Sequence, residues 1–135
     1  MNQRLEVQVS RPGLHDITAQ VAQVVRSSGV QDGLCTVFIQ HTSASVVITE
    51  GADPDVRKDL EAWSERVAPE GHGLYAHEEE GPDDMPSHIR SAMIGSSVAV
   101  PVLEGRLALG TWQGIFLWEH RRFRSTRRLV VHVGP

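Results

Sequence analysis

The chain has 135 residues, of which 40% are hydrophobic and 22% are charged, and its formal net charge is −4. A chain of this length can bury a core without disulfides or a structural metal, and we predict one domain over residues 1–135. The net negative charge argues against a nucleic-acid-binding surface, because such surfaces carry clustered Lys and Arg. Cys35 is the single cysteine, and no apolar run has the length of a signal peptide or a membrane span. We therefore expect a cytoplasmic protein that contacts neither nucleic acid nor membrane.

The first third of the chain predicts strands separated by one helix. Residues 5–9 alternate apolar with polar side chains, which is typical of a strand with one buried face. A helix is predicted over about residues 18–27, and a strand over residues 34–40, which are rich in β-branched and aromatic side chains. The apolar pattern is interrupted and resumes at residues 46–48, where a further strand is expected.

The most clearly marked helix follows this strand. Asp53 offers an N-cap acceptor, and Pro54 suits the first helical position, where its missing N–H costs nothing. Apolar residues then recur at helical spacing and define a face that we expect to be buried, formed by Val56, Leu60, Trp63 and Val67.

Residues 69–84 contain few apolar side chains and are predicted to form a loop. A loop of this length inside a small domain is unusual unless it is functional or disordered. A short helix is predicted over about residues 85–94, with Asp84 as its N-cap.

From residue 97 onward the pattern is that of strands alone. Alternating valines are followed by a turn at Glu104-Gly105, and further strands are predicted over residues 112–118 and 129–133. Strands joined by short turns favour an antiparallel or mixed sheet with helices packed on it. The predicted fold class is therefore α+β, with a largely antiparallel sheet.

Three of the seven histidines occupy positions where scaffolds often present functional groups, at strand ends and in the loops beside them. His41 ends a strand, His77 lies in the acidic loop, and His88 lies on the helix that follows. Spacing alone favours the simpler interpretation, in which His41 caps a strand and His77 and His88 are exposed polar residues. If they converge with one carboxylate, they suit zinc or a similar divalent ion, with one position left for water or substrate.

Other polar features have two interpretations. The glutamates at 78–80 fit a solvated loop better than a ligand set. Asp84 is explained by helix capping, and its alternative role is to bind a cation or to orient His88. The five arginines within residues 121–128 form either a solvated turn or an anion site. Trp112 is expected in the core, with the wall of a pocket as the alternative.

Several motifs resemble those of the YjbQ family, also called UPF0047. They occur in the family's order from about Gly13 to the last strand, and they are Gln40-His-Thr-Ser-Ala-Ser45, Asp53-Pro54 with Asp59, Tyr75-Ala-His77, Glu80-Gly-Pro-Asp-Asp-Met-Pro-Ser-His88, Gly110-Thr-Trp-Gln-Gly-Ile115 and Glu119-His-Arg121. Many members have Glu-Phe-Asp where this chain has Glu119-His120-Arg121, which places it in a Glu-His-Arg branch.

The resemblance implies a homotrimer whose matching polar residues form a pocket near a subunit boundary. It also implies a secondary thiamine-phosphate synthase activity, in which a thiazole phosphate nitrogen displaces pyrophosphate from a pyrimidine-methyl diphosphate. The expected partners are therefore further copies of the chain and a small phosphorylated molecule. Two alternatives use the same residues: a metal-dependent hydrolase of a small phosphorylated or acyl substrate, and a trimer that binds a ligand or metal without chemistry.

Departure of pyrophosphate needs positive charge close to the leaving oxygens, and this requirement suggests roles for the motif residues. His41, His77 and His88 are expected to hold either a divalent ion, zinc or magnesium, or the substrate phosphate. Arg121 would clamp a phosphate oxygen, and Glu119 would complete or orient the site. The residues predicted to carry the reaction are His41, Asp84, Glu119 and Arg121.

Overall fold

The computed structural model describes residues 1–71 and 73–135. These residues form eight strands and three helices, in the order β1 (Asn2–Val9), β2 (Gly13–Asp16), α1 (Thr18–Ser28), β3 (Asp32–Ile39), β4 (Ala44–Glu50), α2 (Pro54–Val67), α3 (Asp84–Ile94), β5 (Ser97–Leu103), β6 (Arg106–Leu107), β7 (Gln113–Glu119) and β8 (Ser125–Gly134). The described residues between α2 and α3 form turns and bends only, as predicted for a loop.

The strands form two antiparallel sheets rather than the one sheet predicted. One sheet has the order β1-β8-β3-β5-β6 and the other has the order β2-β7-β4. Strand β2 was not predicted, and it pairs with β7 from Gly13, opposite Glu119, to Asp16, opposite Phe116. The α+β class and the antiparallel pairing are confirmed.

The main hydrophobic core is shared by the five-stranded sheet, α1 and the three-stranded sheet. Alternate side chains of β3 and β8 enter it, and they meet apolar residues from the other two elements, such as Val21, Val25, Val46 and Leu117. A smaller cluster on the opposite face of β7 contains Phe116 and Trp118 and packs against Leu60 of α2 and Ile94 of α3. Strand β7 is therefore apolar on both faces because both faces are covered.

Strand β8 begins at Ser125, whereas the sequence predicted a start at residue 129. Arg127 and Arg128 consequently belong to a strand, and the solvated-turn interpretation is wrong for these two residues. Because successive side chains of a strand point to opposite faces, Arg127 is buried on the same face as Leu129, and Arg128 is exposed. This start brings Arg127 towards the candidate site.

Helix α2 has the predicted start, since the Asp53 side chain accepts the backbone N–H of Asp55 at 2.9 Å. The buried face predicted for α2 needs correction, because the side chains of Trp63 and Val67 are 40% and 38% exposed. The apolar contact of α2 with the smaller cluster is made by Leu60, Val56 is half-buried, and Trp63 and Val67 at the C-terminal end of the stripe are exposed.

The core position predicted for Trp112 is also wrong. This side chain is 65% exposed and lies beside a shallow depression at the start of α2. Among the described residues, no helix has the length and apolar character needed to cross a membrane.

Candidate metal centre

The end of the acidic loop and the first turns of α3 bring four potential metal ligands together. Asp84 and His88 lie on the same face of α3 because they are four residues apart. Asp84 Oδ2 lies 2.9 Å from His88 Nε2 and 2.7 Å from His77 Nε2. Glu80 Oε2 lies 3.4 Å from the same nitrogen of His77. One ligand atom from each of these four residues lies within 4.8 Å of all the others. We call these four residues the ligand cluster.

The orientation of His88 is set by the backbone of a neighbouring segment. Its Nδ1 lies 2.8 Å from the carbonyl oxygen of Thr42, so Nδ1 carries a proton and donates it. A neutral His88 then presents an Nε2 lone pair to the Asp84 carboxylate, which is repulsive without a proton or a cation between them. A metal-ligating histidine commonly donates its other N–H to a carbonyl in this way.

Arg121 holds the other side of the Asp84 carboxylate. Its guanidinium group donates to Asp84 Oδ1, to Asp83 Oδ2 at 3.0 Å and to the carbonyl of Glu80 at 3.0 Å. These contacts leave Asp84 Oδ2 for the imidazoles and fix the loop backbone at Glu80. Three of the five N–H groups of Arg121 are engaged by the protein in this way, and its role as a phosphate clamp stays a prediction.

The capping role predicted for Asp84 is wrong. Asp83 occupies the N-cap position of α3, and its side chain makes no capping hydrogen bond. The Asp83 carboxylate instead accepts hydrogen bonds from Arg121 and from the backbone N–H of Arg122. Because α3 starts one residue earlier than predicted, the buried Asp84 carboxylate is free to face both histidines.

The charges around Asp84 favour its ionised form. Burial acts to raise the pKa of this carboxyl group, but the hydrogen bond from His77 and the charges of His88 and Arg121 outweigh burial and hold the pKa below its usual value. The hydrogen bond to Asp84 conversely raises the pKa of His77 above its usual value. The cluster therefore has a strong preference for positive charge, supplied either by protons on the histidines or by a cation.

A second polar network adjoins the cluster through residues 41–43. Glu119 is fully buried at the end of β7, and Arg127 donates to both of its carboxylate oxygens and to Ser43 Oγ at 3.0 Å. His41 Nε2 accepts the backbone N–H of Arg128 at 2.8 Å. Burial, followed by the charges of Arg127 and Arg128, lowers the pKa of His41, so this imidazole is neutral at neutral pH.

The predicted site residues thus fall into two groups. The ligand cluster contains His77, His88 and Asp84, whereas His41 and Glu119 belong to the network around Arg127. Glu80, assigned to a solvated loop from the sequence, belongs to the cluster although its side chain is 66% exposed.

Sequence analysis did not identify Arg127 as a partner of Glu119. The sequence signal that could have found Arg127 is its position two residues before Leu129, because a strand that starts earlier than predicted places both side chains on the inward face.

His120 lies outside both groups. Its ring is buried, and its Nε2 lies 2.8 Å from Ser45 Oγ. Burial lowers the pKa of His120 to about 3. A histidine that remains neutral and hydrogen-bonded inside the fold has a structural role.

Comparisons with known proteins identify close relatives across the whole chain. A family model described as UPF0047 protein YjbQ-like matches residues 3–134. A UPF0047 protein from Synechocystis sp. is 52% identical, with 90% of this chain and 82% of that protein covered. YjbQ from Escherichia coli O157:H7 is 45% identical, with 87% and 86% covered. An uncharacterised YjbQ/UPF0047 protein from Clostridium acetobutylicum, solved by crystallography, has a TM-score of 0.90 at 36% identity, with 98% and 99% covered.

These relatives overturn the predicted thiamine-phosphate synthase activity. The similar proteins are named only as UPF0047 proteins, and a solved relative from Sulfolobus solfataricus is described as a YbjQ-like protein of unknown function. None of these names refers to a thiamine-phosphate synthase or a transferase. The function must therefore be inferred from the site itself.

Proposed function

The chain belongs to the YjbQ-like UPF0047 family, and we propose that it binds a divalent transition-metal ion through His77, Asp84 and His88. The observation that carries this proposal is the approach of two imidazole Nε2 atoms to one carboxylate oxygen, at 2.7 and 2.9 Å. Ligand atoms bonded to one tetrahedral zinc ion are about 3.4 Å apart, so the two separations must lengthen by about 0.7 and 0.5 Å to accommodate the ion.

The donor set favours zinc or a similar transition ion over magnesium. Two imidazoles and one carboxylate suit zinc, whereas magnesium prefers oxygen ligands and keeps several waters. The Thr42 carbonyl on His88 and the Arg121 guanidinium on Asp84 are the outer contacts that hold such ligands in place.

We further propose that the ion is a reaction centre. Three protein ligands with a fourth position for water are typical of catalytic zinc sites, whereas structural zinc sites have four protein ligands. His77 is 44% exposed and Glu80 is 66% exposed, so the cluster is open to solvent on the loop side. Glu80 is the most exposed of the four residues, and its carboxylate lies 3.4 Å from His77 Nε2, farther than the distances between Asp84 and the two histidines. We therefore assign Glu80 as the base for a proton of a metal-bound water rather than as a fourth ligand.

Metal binding is tested by metal analysis and zinc titration on protein purified without a histidine tag. We expect about one zinc ion per chain in the wild type, and its loss in His88→Ala. His15→Ala is the matched control, because His15 is a histidine of β2, in the other sheet, whose ring contacts the carbonyl of Arg11. A wild-type protein that binds no zinc, or a His88→Ala protein that binds it as well as the wild type, would overturn the proposal.

The reaction-centre proposal is tested with cobalt, which reports its coordination by visible absorption. We expect a pH-dependent spectrum with a midpoint of about 7, the range for water on a catalytic zinc ion. Glu80→Gln should shift this midpoint while the ion stays bound, and Glu79→Gln, a neighbouring glutamate outside the cluster, should not. A spectrum that is independent of pH would contradict a metal-bound water.

We also propose that the homotrimer implied by the resemblance forms through the outer face of the five-stranded sheet. Support comes from three exposed apolar side chains spread along this face, namely Leu34 and Phe38 of β3 and Leu103 of β5. Exposed apolar surface commonly marks an interface. Sedimentation equilibrium should give a trimer mass, lowered by Phe38→Asp but unchanged by Phe123→Asp, which alters an exposed aromatic outside the sheets. A monomer mass for the wild type would refute this part.

A further inference from the structure

A groove of about 580 Å³ runs along the loop side of the ligand cluster. It shares His77 with the cluster, and its other walls include Glu70, Tyr75, Glu78, Pro82 and Met85. This volume falls within the range of small-molecule sites, roughly 300–1,000 Å³. The groove therefore lies beside an ion held at His77 and has room for the remaining atoms of a molecule bound to that ion.

The walls of the groove offer apolar surface in a fixed position. The Tyr75 hydroxyl donates to the carbonyl of Pro69 at 2.6 Å, so the hydroxyl is engaged and the half-buried ring is held in place. Pro82 and Met85 contribute further apolar surface close to His77. An aromatic or short alkyl group would gain free energy by leaving water for this surface.

The charged groups of the groove disfavour a negative charge on the part of the ligand that lies in the groove. Glu70 is paired with Arg122, and the Glu78 side chain accepts only the backbone N–H of Gly73, at 3.2 Å, among the described contacts. None of the described residues that line the groove is Lys or Arg. The groove therefore does not suit a phosphate group on the part of the ligand that lies in it.

We infer that this groove binds the organic part of the ligand of the metal centre, an aromatic or short alkyl group that is uncharged or cationic. The inference rests on the proposed function, because the polar end of that ligand binds the ion at His77. It adds the substrate class: a small, partly apolar molecule with a metal-binding oxygen or nitrogen atom and no anionic group on the part that lies in the groove.

Two hydroxamates test the apolar part of this inference on the zinc-loaded protein. Benzohydroxamate and acetohydroxamate share the same metal-binding group and charge, and they differ only in a phenyl or a methyl group. Calorimetry should show benzohydroxamate binding about tenfold more tightly or better, since the phenyl group leaves water. The preference should be lost in Tyr75→Ala and kept in Tyr75→Phe, which retains the ring. Met85→Ala should weaken it and provides a second variant if Tyr75→Ala does not fold.

The charge preference is tested with ring-substituted analogues. Benzohydroxamate with a 4-aminomethyl group should bind more tightly than benzohydroxamate with a 4-carboxyl group. Glu78→Gln should reduce this difference in affinity. If the protein binds zinc but binds both hydroxamates with equal affinity, the proposed role of the groove is wrong and the metal site is unaffected. Tighter binding of the carboxyl analogue would overturn the charge assignment. A protein that binds no zinc would overturn the proposed function itself, so the two failures are distinct.

Discussion

Replacement of Asp84 by Asn tests the centre most directly, because it removes the charge and keeps the shape. Asp84 Oδ2 is the atom that both histidines approach, at 2.7 and 2.9 Å. Loss of an outer-shell contact typically weakens metal binding by about 10- to 100-fold, and loss of a ligand should exceed this. We therefore expect zinc affinity to fall by at least about 100-fold, which corresponds to about 2.7 kcal/mol.

Asp83→Asn is the matched control for this experiment. Asp83 is the adjacent carboxylate, is equally buried and contacts the same Arg121, but it does not belong to the ligand cluster. Competition with a chromophoric chelator measures both affinities, and circular dichroism establishes that both variants fold. The Asn amide at position 84 can still accept a hydrogen bond from Arg121. Equal affinities for the two variants would refute the assignment of Asp84 as a ligand.

Three further outcomes are expected. Zinc affinity should fall as the pH drops through the raised pKa of His77, because the proton that Asp84 stabilises on His77 competes with the ion. A zinc affinity that does not vary over pH values of about 5 to 8 would contradict this. The folded protein binds the His120 proton less tightly than the unfolded chain, since its pKa falls from 6.5 to about 3. The free energy of unfolding should therefore be highest above pH 6.5 and decrease towards pH 3, by at most about 1.4 kcal/mol per pH unit. Urea titrations at several pH values should show a smaller decrease for His120→Gln than for the wild type. Glu119→Gln should lower the free energy of unfolding by about 3–5 kcal/mol, because Arg127 remains buried without its anion. Glu119→Gln combined with Arg127→Met should recover much of that loss, and a double variant no more stable than the single one would count against the ion pair.

Local signals in the sequence predicted the helices and most of the strands. The N-cap and proline at Asp53-Pro54 and the glycine at the end of α1 mark helix boundaries through backbone chemistry. The division into two sheets was not predictable in this way, because strand pairing joins segments far apart in the chain. The exposure of Trp63 and Trp112 was also missed, since periodicity identifies an apolar side chain but not what covers it.

The candidate site was predictable only in part. His77 and His88 were selected from their positions beside a loop, and Asp84 was selected as a helix cap whose alternative role is to bind a cation or to orient His88. The structure places Asp84 and His88 on one face of α3. The contribution of Glu80 depends on the path of an irregular loop, which has no periodicity to read. The separation of His41 from the cluster depends on the tertiary contact between Arg128 and the His41 ring.

The buried pair of Glu119 and Arg127 has a consequence for how this chain can vary. Glu119 lies on a strand of one sheet and Arg127 on a strand of the other, so the pair joins the two sheets inside the molecule. Replacing either residue alone leaves the other as a buried charge without a partner, which lowers the free energy of unfolding. Divergence at these two positions should therefore proceed by joint exchange, and homologous chains should either retain both residues or have lost both.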